Sequence, residues 1–198
     1  MKRFFADHSY DMVKMLLNQI AIAIFGFSLV LAAGMANSPA LRNFTSVFSI
    51  LFYLFLIYIT AWDIGYKDKV SVSVGKKKYA PWKGALISLC ANVFNFVFAI
   101  GITITNLTGA LPTFGAICQF CAGLLEGMYA GLLVNPVGGA ALNTYWFMYF
   151  LITLPAIIVS GVAYLLGLKD VKFTSFFNRQ PYPESDREPK QKKDDRHD

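Results

Sequence analysis

Residues 114–134 read FGAICQFCAGLLEGMYAGLLV, and whether this 21-residue stretch crosses a bilayer decides the topology of the whole chain. A spanning helix needs about 20 mostly apolar residues to cross a hydrocarbon core about 30 Å thick. The stretch is long enough, but it carries Gln119, Glu126 and the glycines 115, 123, 127 and 131. Leu111-Pro112-Thr113 precedes it and Asn135-Pro136 follows it, both chain breakers. Four other stretches qualify without such interruptions: residues 16–35, 44–64, 84–107 and 145–168.

Charge discriminates between four spans and five. Lysine and arginine near span ends stay on the cytoplasmic side. Lys2, Arg3 and Lys14 precede the first span. Lys67, Lys69, Lys76, Lys77, Lys78 and Lys83 lie between the second and third, and Lys169 and Lys172 follow the last. Only Arg42 lies between the first and second, and residues 108–144 hold no Lys or Arg. Four crossings with both termini inside therefore put eleven of the twelve cations of residues 1–177 in the cytoplasm. A fifth crossing would send Lys169, Lys172 and the tail outside. The sequence thus predicts an all-α integral membrane protein: four transmembrane helices with an outer re-entrant or interfacial helix near 114–134, in the plasma membrane. Trp62, Trp82, Tyr145 and Trp146 sit at span ends, where amphipathic rings belong. A cleaved signal peptide over the first span, ending near Gly34-Met35-Ala36, is the less favoured alternative, because its apolar run exceeds the usual 7–15 residues.

Composition agrees. The chain has 198 residues, 56 % hydrophobic and only 15 % charged, against roughly a quarter charged in soluble domains. Its mean hydropathy is +0.48. The net charge of +6 does not point to nucleic acid, since the tail from Asn178 balances six cations against six anions and the excess lies at span ends. Residues 1–15 read as a cytoplasmic amphipathic N-terminus, 65–83 as a cytoplasmic loop, 108–144 as an outer loop, and 169–198 as an interfacial segment and disordered tail. Within the 65–83 loop, Val70-Ser71-Val72-Ser73-Val74-Gly75 alternates with period two and predicts a short β-hairpin.

The third span carries the most chemistry. Ala85, Ser88, Asn92, Asn95, Ala99, Thr103 and Asn106 recur at three- and four-residue spacing, which places them on one helical face. Thr153, Ala156, Ser160, Ala163 and Gly167 form a similar row on the last span. Counting from the inner interface predicts that these rows pack together, with Ser160 level with Asn92 and Ala163 level with Ser88. Small residues permit close approach, and Asn or Ser side chains bond across helices. The sharper reading makes Asn92 and Asn95, with Asn18 and Gln19 of the first span, the lining of a polar pathway. Intramembrane ionisable groups mark such pathways more reliably. Glu126, the sole acid on the predicted outer side, is expected to face water at the interface; as a membrane-embedded acid it would be the candidate for proton coupling. Asp63, at the inner end of the second span, is expected to pair with a neighbouring lysine.

Gly123, Gly127 and Gly131 form a G-x-x-x-G row suited to docking on the protein's own bundle or to self-association. Lys76, Lys77, Lys78 and Lys83 face the predicted inner leaflet and are candidate contacts for anionic lipid. Cys118 and Cys121 form a C-x-x-C near the outer face, where a disulfide is permitted. Four spans with an outward C-x-x-C are similar in outline to the membrane thiol oxidases that pass electrons to quinone. That resemblance implies a second cysteine pair, and only Cys90 remains. No metal site is expected, because zinc takes four N/S ligands and both histidines, His8 and His197, lie in the polar ends. No phosphate-loop, dinucleotide, nucleophile-elbow or metalloprotease motif occurs, and no cofactor is implied. The leading expectation is a non-enzymatic accessory or interaction subunit whose partners are the bilayer and a membrane protein. A small transporter or channel and a thiol oxidoreductase are the alternatives.

Overall fold

The computed structural model describes residues 2–76 and 78–171. Helix α1 (Lys2–Met35) runs unbroken for 34 residues, about 51 Å at 1.5 Å per residue. The N-terminal segment is therefore one helix with the first span, and His8, Met12 and Met15 within it are buried. Helix α2 (Pro39–Ser73) is as long. Ser38 caps it by accepting from the Leu41 amide at 3.3 Å, and Pro39 fills the first position, where no amide partner is needed. Both helices outreach a bilayer core by several turns.

The hairpin expected over Val70–Gly75 does not form; α2 continues to Ser73. A period-two pattern this short also fits the last turns of a helix. Ser71 donates to the Lys67 carbonyl at 3.1 Å and Ser73 to that of Val70 at 2.9 Å. Gly75, at φ +71°, then closes the helix: its amide bonds Val72 O and that of Lys76 bonds Ser71 O. That pair of reversed bonds is the Schellman ending.

The third span is two helices, α3 (Lys83–Ala91) and α4 (Val93–Thr108), bent by 59° at Asn92. The Asn92 carboxamide donates to the Ser88 carbonyl at 2.8 Å, competing there with its own backbone amide at 2.9 Å. Side chains that bid for backbone groups in this way weaken helices locally. Beyond Gly109, Pro112 opens α5 (Pro112–Leu125). A 3₁₀ turn (Gly127–Tyr129) and the single-turn α6 (Ala130–Leu133) follow, with an 84° bend between the two arms. Strands β1 (Pro136–Val137) and β2 (Ala140–Ala141) pair across Gly138-Gly139, and α7 (Met148–Leu168) completes the described chain.

Of the described residues 82 % are helical, an all-α membrane fold. Helices α1, α2 and α7 are each long and apolar enough to cross a bilayer, and the two bent pairs raise the total to as many as five. Contacts order them. Trp62 donates to Val171 O, Lys69 pairs with Asp170, and Lys83 pairs with Asp68. The ends of α2 and α7 and the start of α3 thus share one end of the bundle, rich in lysine. At the far end Asn135 bonds both Arg42 and Asn43, while the start of α5 packs against Thr105. The segment from α5 to α6 therefore enters and leaves the bundle from the same end. It turns at the depth where Gln19 donates to Leu125 O.

One core joins α1, α2, α3, α7 and the 3₁₀ turn around Tyr53, Ile57, Ile87, Met128 and Tyr164. A second joins α4, α5 and α7 through Ala99, Ile102, Cys118, Ala122 and Tyr149. Outward faces keep Ile24, Leu31, Leu51, Phe55 and Ile158 exposed, as a lipid environment allows. Helices α3 and α7 do pack along their small-residue rows, but about two turns out of the expected register. Ser160 donates to Gly84 O and Ser88 to Ala156 O. The count assumed that α3 and α7 end at one level, whereas the last turns of α7 run past α3 to pack on α2. There Gly65 takes the Tyr164 carbonyl and Gly167 that of Trp62, with no room for a Cβ.

Candidate functional site

The two helix breaks meet. Asn92 stands at one, Glu126 at the other, and Asn95, one turn into α4, bridges them. Its Nδ2 donates to Asn92 Oδ1 at 3.0 Å and to Glu126 Oε1 at 2.6 Å. Asn92 in turn directs its amide at Ser88, through the carbonyl at 2.8 Å and Oγ at 3.4 Å. The result is a line of carboxamides from Ser88 to Glu126, with its donor end on the carboxylate. From the other side the Thr153 hydroxyl lies 3.3 Å from Glu126 Oε1 and 2.9 Å from Tyr149 O. Its single proton serves one of them at a time.

Glu126 is 3 % exposed, as is Asn95. The expectation that Glu126 faces water at the interface is thus overturned. The α5–α6 segment folds into the bundle, and the bend at Glu126 turns the side chain inward rather than outward. Tyr53 of α2 and Tyr129 of the 3₁₀ turn lie within electrostatic range of it. No Lys, Arg or His among the described residues pairs with Glu126. Two polar atoms in the cluster, Asn95 Oδ1 and the Tyr129 hydroxyl, are buried without a hydrogen-bond partner. A buried carboxylate with no cation costs several kcal/mol, and each orphaned polar atom adds about 1–3 kcal/mol.

The structure therefore brings Ser88, Asn92, Asn95 and Glu126 together. Gln19, fully buried, stands next to them by holding the Leu125 carbonyl that the break frees. Asn18 and Ser160 lie elsewhere: Asn18 reaches Thr60 at 3.4 Å, and Ser160 serves the α3–α7 contact. Tyr53, Tyr129 and Thr153 went unnoticed as site residues, although phenols inside apolar segments are polar handles that seek partners.

A cavity of about 400 Å³ lies at the far end, lined among others by Phe27, Gln119, Gly123, Asn143 and Tyr149. Tyr149 is one helical turn from Thr153, whose hydroxyl reaches Glu126. A second cavity of about 340 Å³ opens beside it, against Thr105 and Asn106. At the lysine-rich end Asp68 accepts from Lys83 at 2.6 Å and from the Tyr164 hydroxyl at 2.9 Å, all three largely buried. Lys83 is thus an internal ion-pair partner and not a lipid contact. Lys76 and Lys78 are exposed, and Lys77 lies outside the described residues. Asp63 pairs with Lys67 at 2.6 Å as expected. His8 is buried and bonds Asp11 at 3.2 Å, so it belongs to the bundle rather than to a polar end.

Gly127 and Gly131 dock on the chain's own helices, against the Ala23 carbonyl and against Ser46 and Arg42, whereas Gly123 faces open space. Cys118 and Cys121 are free thiols, as is Cys90, and Cys118 packs its sulfur over Gly101. No group of three or more His, Cys, Asp or Glu side chains suited to a metal occurs among the described residues. The aromatic residues expected at the inner interface, Phe173, Phe176 and Phe177, and the tail lie outside the described residues. In comparison with known proteins, the chain matches no family model, no curated protein and no solved structure.

Proposed function

We propose that the protein is a small transporter or channel that passes a polar solute or ion through the Asn92–Asn95–Glu126 cluster. One observation carries this reading: two broken helices meet at a buried carboxylate. Broken helices are the usual way in which transporters place binding groups near the bilayer midplane, and an ionisable residue there marks a pathway by default. The re-entrant course of α5–α6 adds support, because irregular backbone at that depth is tolerated only where protein or a water-filled cavity surrounds it. The lysine distribution supports four crossings in the plasma membrane with both termini cytoplasmic, so that the cavities open outward.

An accessory subunit needs no buried acid, and the burial of Glu126 among polar groups therefore favours the transport reading over it. The thiol-oxidoreductase reading gains nothing from three unlinked cysteines. Full-length protein reconstituted in vesicles is expected to pass at least one member of a panel of ions and small neutral solutes, faster than protein-free vesicles do. Asn95→Leu, which breaks the line of carboxamides, is expected to abolish that flux. If nothing in the panel moves and Asn92→Ala changes only stability, the transport reading fails.

A further inference from the structure

We infer that Glu126, Asn95 and Tyr129 form a binding site for one monovalent cation, a proton or an alkali ion, held at the bend of the re-entrant segment. The inference deepens the transport reading and rests on it for the site's role. The elements packed round Glu126 bring neutral groups: α1 gives Gln19, α2 gives Tyr53, α4 gives Asn95, the 3₁₀ turn gives Tyr129 and α7 gives Thr153. The only formal charge in the cluster is one carboxylate, so one positive charge neutralises it. A divalent ion would leave a net charge buried, which is as costly as the bare carboxylate it replaces.

The orphaned atoms point the same way. Asn95 Oδ1 is an acceptor with no donor, and the Tyr129 hydroxyl has an oxygen with no partner. Both are oxygens, as suits a hard cation, and both belong to side chains more than nine-tenths buried. Asn95 contacts Glu126 directly, so its free oxygen lies within one amide group of the carboxylate. A bound alkali ion supplies what these atoms lack and neutralises Glu126 at the same time. A proton on Glu126 neutralises the charge and gives the carboxyl a donor of its own.

The test uses the purified full chain and measures its unfolding midpoint in NaCl, LiCl, KCl and choline chloride at constant ionic strength, and across pH 5 to 9. A ligand that binds only the folded state raises the midpoint. For a chain of this size an approximately hundredfold excess over Kd corresponds to about 5–10 °C. An alkali site predicts a saturable rise with one of the alkali ions over choline. A proton site predicts the same midpoint in all four salts and a fall as pH rises. In either case Glu126→Gln, which keeps the acceptor for Asn95, is expected to remove the dependence. Tyr129→Phe, which deletes only an unpaired hydroxyl, folds whether or not Glu126→Gln does, and is expected to weaken the alkali response while leaving a proton response in place. A wild-type midpoint that ignores both alkali ion and pH overturns the proposal, as does a dependence that Glu126→Gln retains. An ion-dependent midpoint without flux would sink the transport reading and leave the site standing.

Discussion

Asp68 and Lys83 show what a buried charge requires here. Each is largely hidden, they meet at 2.6 Å, and Tyr164 supplies a further donor to the carboxylate. Lys83→Met takes a cation away from the buried Asp68 carboxylate, and removing one partner of such a pair costs about 3–5 kcal/mol. Asp68→Asn with Lys83→Met is expected to recover most of that loss, measured as denaturant midpoints in mild detergent. Glycines give a second contrast at this scale. Gly127→Ala drives a methyl into the Ala23 carbonyl and is expected to cost about 1–3 kcal/mol. Gly123→Ala meets nothing, and as a helical Gly→Ala change it is expected to be neutral or to stabilise by up to about 1 kcal/mol. Thermal unfolding of the two variants side by side checks both. The sequence marked the three glycines as one row and could not tell them apart, because the bend at Glu126 that separates them depends on partners in other helices. Glu126 itself was visible as the lone acid. Its burial was not, since Asn95, Thr153 and Tyr53 are scattered through three other helices and only folding assembles them.

At the scale of elements, hydropathy made the helices legible, because lipid imposes length, and the polar residues and glycines within 114–134 marked that segment as unlike the others. What escaped were the breaks and the exits. A polar row at helical spacing describes a straight helix as well as one bent at Asn92. The difference lies in a carboxamide that takes the Ser88 carbonyl. Asn92→Ala removes that competition and is expected to straighten α3–α4, seen as a longer distance between spin labels at the exposed positions 82 and 107. The re-entrant course has its own check. In a cysteine-free background, single cysteines at 111 and 143 should react with an impermeant thiol reagent from one side of the membrane, and a cysteine at 79 from the other. Reaction of 111 and 143 from opposite sides would convert α5–α6 into a full crossing.

Across the whole molecule the two ends are built differently. The lysine-rich end is tied together by the Asp68–Lys83–Tyr164 cluster and by glycine contacts between α2 and α7. The far end carries the two cavities beside α5 and, among the described residues, the short β1–β2 hairpin. A cysteine placed at Gly123 is therefore expected to react readily from the far side, whereas one at Ser88 resists reagent from either side until the protein unfolds.

The position of Glu126 along the chain also bears on how the protein is made. Lys83 follows Asp68 by 15 residues, so their ion pair is available almost as soon as the second helix has been synthesised. Glu126 has Asn95 behind it, but Thr153 is still 27 residues ahead, on the order of seconds at ordinary elongation rates. During that interval the carboxylate relies on helices already inserted, with Gln19 of the first receiving its broken backbone. The order of the helices along the chain thus delivers the acid only after most of its shelter exists, and α7 arrives last to close the remaining side.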